Sequence, residues 1–208
     1  MVNRIKADDA LNRLREGNLR FTSNLRALEP LFSHTRREEL LSGQAPFAMI
    51  LGCSDSRVPA EIVFDQGLGD LFVIRVAGNI VAPSQIGSVE FAVSQFGTRL
   101  VVVLGHSQCG AVCATIDELT NKDTSSSENI RAIVDRVKPS IQSLMATDLK
   151  NDPEALEKEA VRANVRASVN QLRHGSTIIE NLVDTDGLLI VGAEYSLETG
   201  VVDFFDGV

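Results

Sequence analysis

Two cysteines and one histidine carry the strongest chemical signal in this sequence. Cys53 follows the apolar run Phe47–Gly52. His106 and Cys109 follow a second such run, Leu100–Gly105. Two thiolates and an imidazole are one ligand set of catalytic zinc, with a fourth position open to water, and sulfur ligands disfavour magnesium and calcium. Singly, such cysteines are usually buried packing residues, but the equivalent placement of both groups after a predicted strand favours a shared metal site.

The segment Cys53-Ser54-Asp55-Ser56-Arg57 adds a charged pair beside the first candidate ligand. In an extended chain alternate side chains share a side, so Asp55 and Arg57 are predicted to point the same way as Cys53. A carboxylate and a guanidinium can pair through two parallel hydrogen bonds. The pair could be a structural salt bridge, or it could control a group at the metal, and the residues alone leave both open.

Short apolar runs alternate with helical patterns along the chain. The runs Phe47–Gly52, Leu71–Ile74 and Leu100–Gly105 predict buried strands. An apolar stripe over residues 86–96 predicts a helix before the third strand, and residues 188–192 and 201–205 predict a terminal hairpin. This order predicts an α/β fold with a mostly parallel central sheet flanked by helices and an antiparallel edge strand.

The other segments are predicted to be mainly helical. Residues 1–40 have apolar side chains near helical spacing, and a further helix is predicted to open at Pro153. Thr177 and Glu180 have the spacing of a capping box at the start of a short helix. No repeat or linker divides the chain, so residues 1–208 are expected to form a single domain.

Composition and charge argue against several classes of function. The formal net charge is −8, whereas nucleic acid and anionic membranes select a basic face, so neither is an expected partner. The first residues lack the apolar core of a signal peptide, and the longest apolar runs are too short to span a bilayer. A cytoplasmic location is therefore expected, where three cysteines do not indicate a disulfide framework.

The two ligand segments together resemble the paired signature of the beta-class carbonic anhydrases. Residues 53–57 read Cys-Ser-Asp-Ser-Arg, and residues 105–110 read Gly-His-Ser-Gln-Cys-Gly. Residues 75–79 resemble the family's Arg-x-Ala-Gly-Asn segment, and residues 88–93 resemble its helix before the second metal strand. The resemblance covers roughly Phe47 to Phe205. It implies zinc-dependent, reversible hydration of carbon dioxide to bicarbonate and a proton by zinc-bound hydroxide.

The resemblance also implies roles for individual residues. Cys53, His106 and Cys109 match the family's zinc ligands. Asp55 and Arg57 match its catalytic dyad, in which the arginine holds the aspartate. If that contact breaks, Asp55 could take the open metal position and form a closed, inactive site with four protein ligands.

Three further matches concern the binding of substrate. Gln44 matches a glutamine that hydrogen-bonds substrate or bicarbonate, Phe72 matches an aromatic wall of the pocket, and Gly110 matches a residue whose backbone N–H faces the bound anion. In the family the glutamine and the aromatic residue come from the neighbouring subunit. The resemblance therefore implies a homodimer or homotetramer with the active cleft at the dimer interface, and N-terminal helices that pack on a partner subunit.

The sequence departs from the family pattern at two places. Some members bind regulatory bicarbonate with a tryptophan, an arginine and a tyrosine. Arg75 and Tyr195 match two of these residues, but Ile50 stands at the tryptophan position, so a complete regulatory pocket is not expected. Phe91 stands where plant-like members have a pocket tyrosine, which removes a hydroxyl group.

Three alternatives use the same residues differently. A related zinc hydrolase acting on carbonyl sulfide or carbon disulfide would share the ligand set. A structural zinc protein would need a fourth protein ligand, which only Asp55 could supply. A thiol redox protein is disfavoured because Cys109 and Cys113 lack the Cys-x-x-Cys spacing, and Cys113 is instead expected to be a packing residue.

Overall fold

A computed structural model describes residues 5–25, 33–120 and 127–208 of the chain. Its centre is a five-stranded sheet with the strand order β2-β1-β3-β4-β5. The strands are β1 (Ala48–Gly52), β2 (Leu71–Arg75), β3 (Leu100–His106), β4 (Leu189–Tyr195) and β5 (Val202–Asp206). Strands β1 to β4 are parallel, and β5 pairs antiparallel with β4 at one edge. The predicted fold class is therefore confirmed.

Helices cover both faces of this sheet. They are α1 (Ala7–Thr22), α2 (His34–Glu39), α3 (Ala60–Val63), α4 (Pro83–Gln95), α5 (Gly110–Thr120), α6 (Glu128–Gln142), α7 (Pro153–His174) and α8 (Thr177–Thr185). Short 3-10 turns span Leu40–Ser42, Ala77–Asn79, Leu144–Ala146 and Asp148–Asn151. Among the described residues, no helix combines the length and the apolar character that crossing a membrane requires.

The strands are apolar on both faces because their side chains alternate between two helical layers. On one face Ile50 and Val102 pack in the cluster that contains residues of α1 and α3. On the other face Leu51 and Val103 pack with residues of α4, α7 and α8. Burial on both sides explains why the strands read as continuous apolar runs rather than as alternating ones.

Helix α1 packs on the sheet of its own chain. Ala10, Leu11 and Leu14 are buried in the same cluster as Ile50. A side chain at Gly17 would place its Cβ 1.8 Å from the Phe64 carbonyl oxygen, so only glycine allows this approach. Contact of the N-terminal helices with a partner subunit stays a prediction. The part of the N-terminal helical prediction that concerns residues 1–4 and 26–32 lies outside the described residues.

The capping-box prediction for α8 was wrong by one residue. Ser176, which is extended, is the N-cap, and its hydroxyl accepts from the backbone N–H groups of Ile178 and Ile179. Thr177 is already the first helical residue, so its hydroxyl does not cap the helix. The predicted start of α7 at Pro153 is confirmed, with the Asp152 side chain as its cap.

The carboxyl ends of β1 and β3 lie side by side at the switch point of the sheet, where the chain leaves β1 toward β2 on one side and continues from β3 toward β4 on the other. Strand β1 pairs with β2 on one side and with β3 on the other. Gly52 is level with Leu104, so the residues that follow β1 emerge beside the last residues of β3. In open α/β sheets this crevice is the place where ligands bind.

Candidate metal centre

Cys53, His106 and Cys109 converge at the crevice between β1 and β3. Their three donor atoms all lie within 4.8 Å of one another, and all three residues are buried. Cys53 directly follows β1, His106 is the last residue of β3, and Cys109 directly precedes α5. Neighbouring strand ends therefore bring together residues that are far apart in the sequence, close enough for one metal ion to be held between them.

The imidazole of His106 has one nitrogen engaged and one available. Its Nδ1 lies 2.8 Å from the Ser107 carbonyl oxygen, which can only accept, so Nδ1 carries the proton. Its Nε2 is buried and has no hydrogen-bond partner among the described residues. A buried nitrogen without a partner is costly unless something binds it. A lone pair on Nε2, with the opposite N–H held by a carbonyl, is the usual state of a metal-binding histidine.

The two sulfur atoms perturb each other and the imidazole. The neighbouring Cys109 thiol is the main reason why the pKa of Cys53 is lowered to about 4, and the same contact raises the pKa of Cys109. Burial works to lower the pKa of His106, but the nearby Cys53 sulfur and the Ser107 carbonyl raise it overall. A lowered pKa favours the thiolate form of Cys53, and the thiolate is the form of cysteine that binds metal ions.

Asp55 and Arg57 form the two-pronged pair that the sequence suggested. The Arg57 side chain donates from Nε to Asp55 Oδ1 over 3.0 Å and from a terminal nitrogen to Oδ2 over 2.8 Å. The segment is not extended as predicted, because the Arg57 backbone N–H also donates to Asp55 Oδ1 over 2.9 Å and closes a turn. Asp55 Oδ2 lies 3.9 Å from His106 Nε2, which places the carboxylate at the edge of the cluster.

Arg57 keeps Asp55 ionised. Its side-chain hydrogen bonds are the largest cause that holds the pKa of the Asp55 carboxyl well below its usual range, and its backbone N–H acts in the same direction. An ionised carboxylate can only accept hydrogen bonds. Arg57 binds both oxygens and so fixes the carboxylate, while Oδ2 remains 3.9 Å from His106 Nε2 at the edge of the cluster.

A sequence profile described as Carbonic anhydrase matches residues 48–202. This chain belongs to the beta-carbonic anhydrase family. Carbonic anhydrase 2 of Mycobacterium tuberculosis is 41% identical over 187 residues, which are 90% of this chain and 87% of the relative. The carbonic anhydrase of Mycolicibacterium smegmatis is 41% identical over 190 residues, which are 91% and 89% of the two chains.

Solved beta-carbonic anhydrase structures have the same fold. A chain from the tetrameric beta-carbonic anhydrases of Sordaria macrospora has a TM-score of 0.73 at 25% identity, over 81% of this chain and 85% of the other. The beta-carbonic anhydrase CcaA has a TM-score of 0.71 at 28% identity, over 94% of this chain and 91% of the other. The sheet that positions the cluster is therefore the family's own scaffold.

Arg75 matches a residue of the family's regulatory bicarbonate site. In this chain it contacts the loop that follows β1 and contains Cys53 and Asp55. Its Nε donates to the Cys53 carbonyl oxygen over 3.0 Å, and a terminal nitrogen donates to the Asp55 carbonyl oxygen over 2.5 Å. Tyr195 is buried, with its ring 6.4 Å from that of Phe21. Ile50, at the tryptophan position, is completely buried inside the core. The expectation of no complete regulatory pocket stays a prediction from the sequence.

The predicted substrate residues do not all lie near the cluster of their own chain. Gln44 is exposed and precedes β1, whereas Cys53 follows it, so the whole five-residue strand, about 16 Å long, lies between them in the chain. Phe72 lies on β2 in ring contact with Phe91, at 6.2 Å between centroids. Gly110, by contrast, is the exposed first residue of α5, next to Cys109. The roles of Gln44, Phe72 and Gly110 stay predictions.

Sequence reasoning missed one acidic residue that touches this site. Glu198 lies in the turn between β4 and β5 and accepts hydrogen bonds from the side chains of Ser107 and Gln108. Those two residues form the link between His106 and Cys109. The sequence held no signal for this contact, because 90 residues separate Gln108 from Glu198 and only the tertiary fold brings them together.

Proposed function

We propose that this chain catalyses the reversible hydration of carbon dioxide to bicarbonate and a proton at a zinc ion. The observation that carries the proposal is the buried cluster of Cys53, His106 and Cys109 beside a carboxylate locked by Arg57. Two sulfurs and an unpartnered imidazole nitrogen suit zinc, and they leave a fourth position for solvent. The names of the relatives, all carbonic anhydrases, support the same activity.

Asp55 and Arg57 would direct the nucleophile. Zinc, when bound, acts as a Lewis acid that makes hydroxide available near neutral pH. Asp55 accepts a hydrogen bond from the nucleophilic oxygen and so orients its lone pair toward the carbon of the substrate. Arg57 keeps this carboxylate charged and fixed, because its guanidinium group donates a hydrogen bond to each of the two Asp55 oxygens. Water and carbon dioxide together supply all atoms of bicarbonate and the released proton.

The active cleft would be completed by a second copy of the chain. Gln44 and Phe72 are the proposed substrate residues, yet Gln44 and Cys53 lie at opposite ends of β1. β2 is an edge strand that pairs only with β1 among the described strands, and Phe91 beside it is 52% exposed. An exposed edge and aromatic side chains are typical of an interface. We therefore propose a homodimer, alone or as half of a tetramer.

Zinc analysis and stopped-flow hydration of carbon dioxide across a pH series test the proposal together. We expect about one zinc ion per chain, with hydration far above the uncatalysed rate. Bound zinc without hydration at any pH would instead identify a structural zinc protein. Hydrogen sulfide release from carbonyl sulfide or carbon disulfide, exceeding carbon dioxide hydration, would identify the related hydrolase.

A further inference from the structure

The turn Ser107–Gln108 connects the proposed zinc ligands His106 and Cys109, and its two carbonyl groups face His106 and Arg57. The Ser107 carbonyl oxygen accepts from Nδ1 of His106 at 2.8 Å. The Gln108 carbonyl oxygen lies 3.5 Å from a terminal nitrogen of Arg57, at the limit of a hydrogen bond. One two-residue turn therefore sets the orientation of the imidazole and also faces the guanidinium that holds Asp55.

This turn has a backbone conformation that needs support. Gln108 has φ +56°, a left-handed conformation that residues other than glycine adopt at a cost. Gln108 is also exposed, so burial does not hold it in place. On one side the Ser107 backbone N–H is fixed by the Tyr195 carbonyl at 3.0 Å. The side chains of the turn hold it further: Ser107 Oγ accepts from the Leu197 backbone N–H over 3.0 Å, and both side chains donate to Glu198.

Glu198 supplies that support through both of its carboxylate oxygens. Gln108 Nε2 donates to Oε1 over 2.8 Å, and Ser107 Oγ donates to Oε2 over 2.9 Å. Ser196 Oγ also donates to Oε2, over 3.0 Å, which aims the carboxylate at the turn. The pKa of Glu198 is lowered by its own backbone N–H and by the hydroxyls of Ser107 and Ser196, so at neutral pH the group accepts from every donor around it.

We propose that Glu198 is a positioning residue of the metal centre: it holds the Ser107–Gln108 turn, and through it the His106 imidazole and the Arg57 guanidinium. The inference rests on the proposed function. Glu198 touches neither a proposed ligand nor the Asp55 carboxylate directly, so its effect passes through the two carbonyl groups of the turn. Groups that orient a metal-binding histidine from outside typically change metal affinity or activity 10–100-fold.

The test compares Glu198→Ala and Glu198→Gln with the matched control variants Glu154→Ala and Glu154→Gln. Glu154 is likewise an exposed acidic residue lining the same surface groove as Ser107, Gln108 and Glu198, and it has no assigned role at the metal. Zinc affinity is measured by competition with a chromophoric chelator, and kcat and KM are measured separately across pH. Thermal unfolding of each variant reports whether the fold is retained.

We expect Glu198→Ala to lose about 10-fold or more in zinc affinity or in kcat, with little change in KM, and Glu198→Gln to lose less. Both Glu154 variants should match the parent. In a double-mutant cycle of Glu198→Ala, Gln108→Ala and the double variant, the losses in zinc affinity or kcat should be non-additive, because each single change already removes the same Glu198–Gln108 contact. The inference is overturned if Glu198→Ala folds and behaves like Glu154→Ala, or if the cycle is additive. A parent chain that binds no zinc would instead overturn the proposed function.

Discussion

His106 and Cys53 each have one polar group that is hydrogen-bonded within the protein and another that faces the cluster. One nitrogen of His106 is held by the Ser107 carbonyl, and the other is buried without a partner among the described residues. The Cys53 carbonyl is held by Arg75 while its sulfur lies in the cluster. In both residues one polar group fixes position and the other is left for a ligand.

Replacing a cysteine of the cluster should remove the metal, whereas replacing the third cysteine should not. We expect Cys53→Ser to bind zinc at least 10-fold more weakly, because a neutral hydroxyl replaces a thiolate ligand. Cys113→Ser is the matched control, since Cys113 is a half-buried residue of α5 outside the cluster. Zinc content after dialysis against a chelator measures the difference, and equal retention by both variants would contradict the assignment.

Arg57 should control the ionisation of Asp55. The folded-state pKa of Asp55 is depressed, so this pair stabilises the fold fully above the unfolded value of about 3.9 and loses its effect as pH falls through the folded value. Asp55 is therefore ionised throughout the neutral range, and activity changes between pH 6 and 9 should arise elsewhere.

Carboxyl-carbon NMR titration of the zinc-free protein measures this dependence. Arg57→Gln should raise the pKa of Asp55 toward its usual value. Arg136→Gln is the control, because Arg136 contacts the Ala132 carbonyl of its own helix, and it should leave the titration unchanged. An Asp55 pKa that is equally low in Arg57→Gln would mean that Arg57 does not hold the carboxylate.

At the scale of elements, helix α7 supports the strand ends that carry the site. A Cβ at Gly105, next to His106, would lie 2.6 Å from a methyl carbon of Val165, so α7 packs unusually close to β3. Two polar side chains of α7 hold the segment beside Cys53: Asn164 donates to the Gly78 carbonyl over 2.8 Å, and Ser168 donates to the Asn79 carbonyl over 3.0 Å.

Helix α1 offers a sharp test of packing between elements. We expect Gly17→Ala to destabilise the protein by about 1–3 kcal/mol, because its methyl group would collide with the Phe64 carbonyl and displace α1. Gly87→Ala in α4 is the control, since nothing lies within 4 Å of its added Cβ and alanine favours a helix by roughly 0.5–1 kcal/mol. Urea unfolding measures both, and unchanged stability of Gly17→Ala would show that α1 does not pack against Phe64.

At the scale of the whole molecule, the distance between Gln44 and Cys53 predicts a site shared between subunits. Chains carrying Gln44→Ala and chains carrying Asp55→Asn should each have low activity alone. If Gln44 serves its partner's site, unfolding and refolding an equal mixture should restore about a quarter of the parental activity, because half the dimers are mixed and each holds one intact site.

The matched control mixes Asp55→Asn with Cys53→Ser chains. Both changes fall in the same site of their own chain, so every mixed dimer has two damaged sites and activity should stay low. Gel filtration with light scattering establishes that mixed dimers form. Failure of the first mixture to recover, once mixed dimers are present, would place Gln44 outside the partner's site.

The local pattern of the chain determined the strands, most helices and the identity of the cluster. Apolar runs and helical stripes reflect the burial of each segment, and the residues that follow two such runs were sufficient to predict that Cys53, His106 and Cys109 meet. Local geometry was harder to predict. The Asp55–Arg57 segment closes a turn instead of extending, and Ser176 rather than Thr177 caps α8, because single hydrogen bonds decide between conformations of similar energy.

Only the tertiary structure decided which distant groups support the site. Glu198 reaches the Ser107–Gln108 turn because β4 lies parallel to and beside β3. The turn that follows β4 and leads into β5 therefore lies at the same end of the sheet as the turn that follows β3. Arg75 reaches the Cys53 loop because β2 lies beside β1. Contacts of this kind depend on strand order and register, which a one-dimensional pattern does not contain, since many partners are chemically equivalent until the sheet has formed.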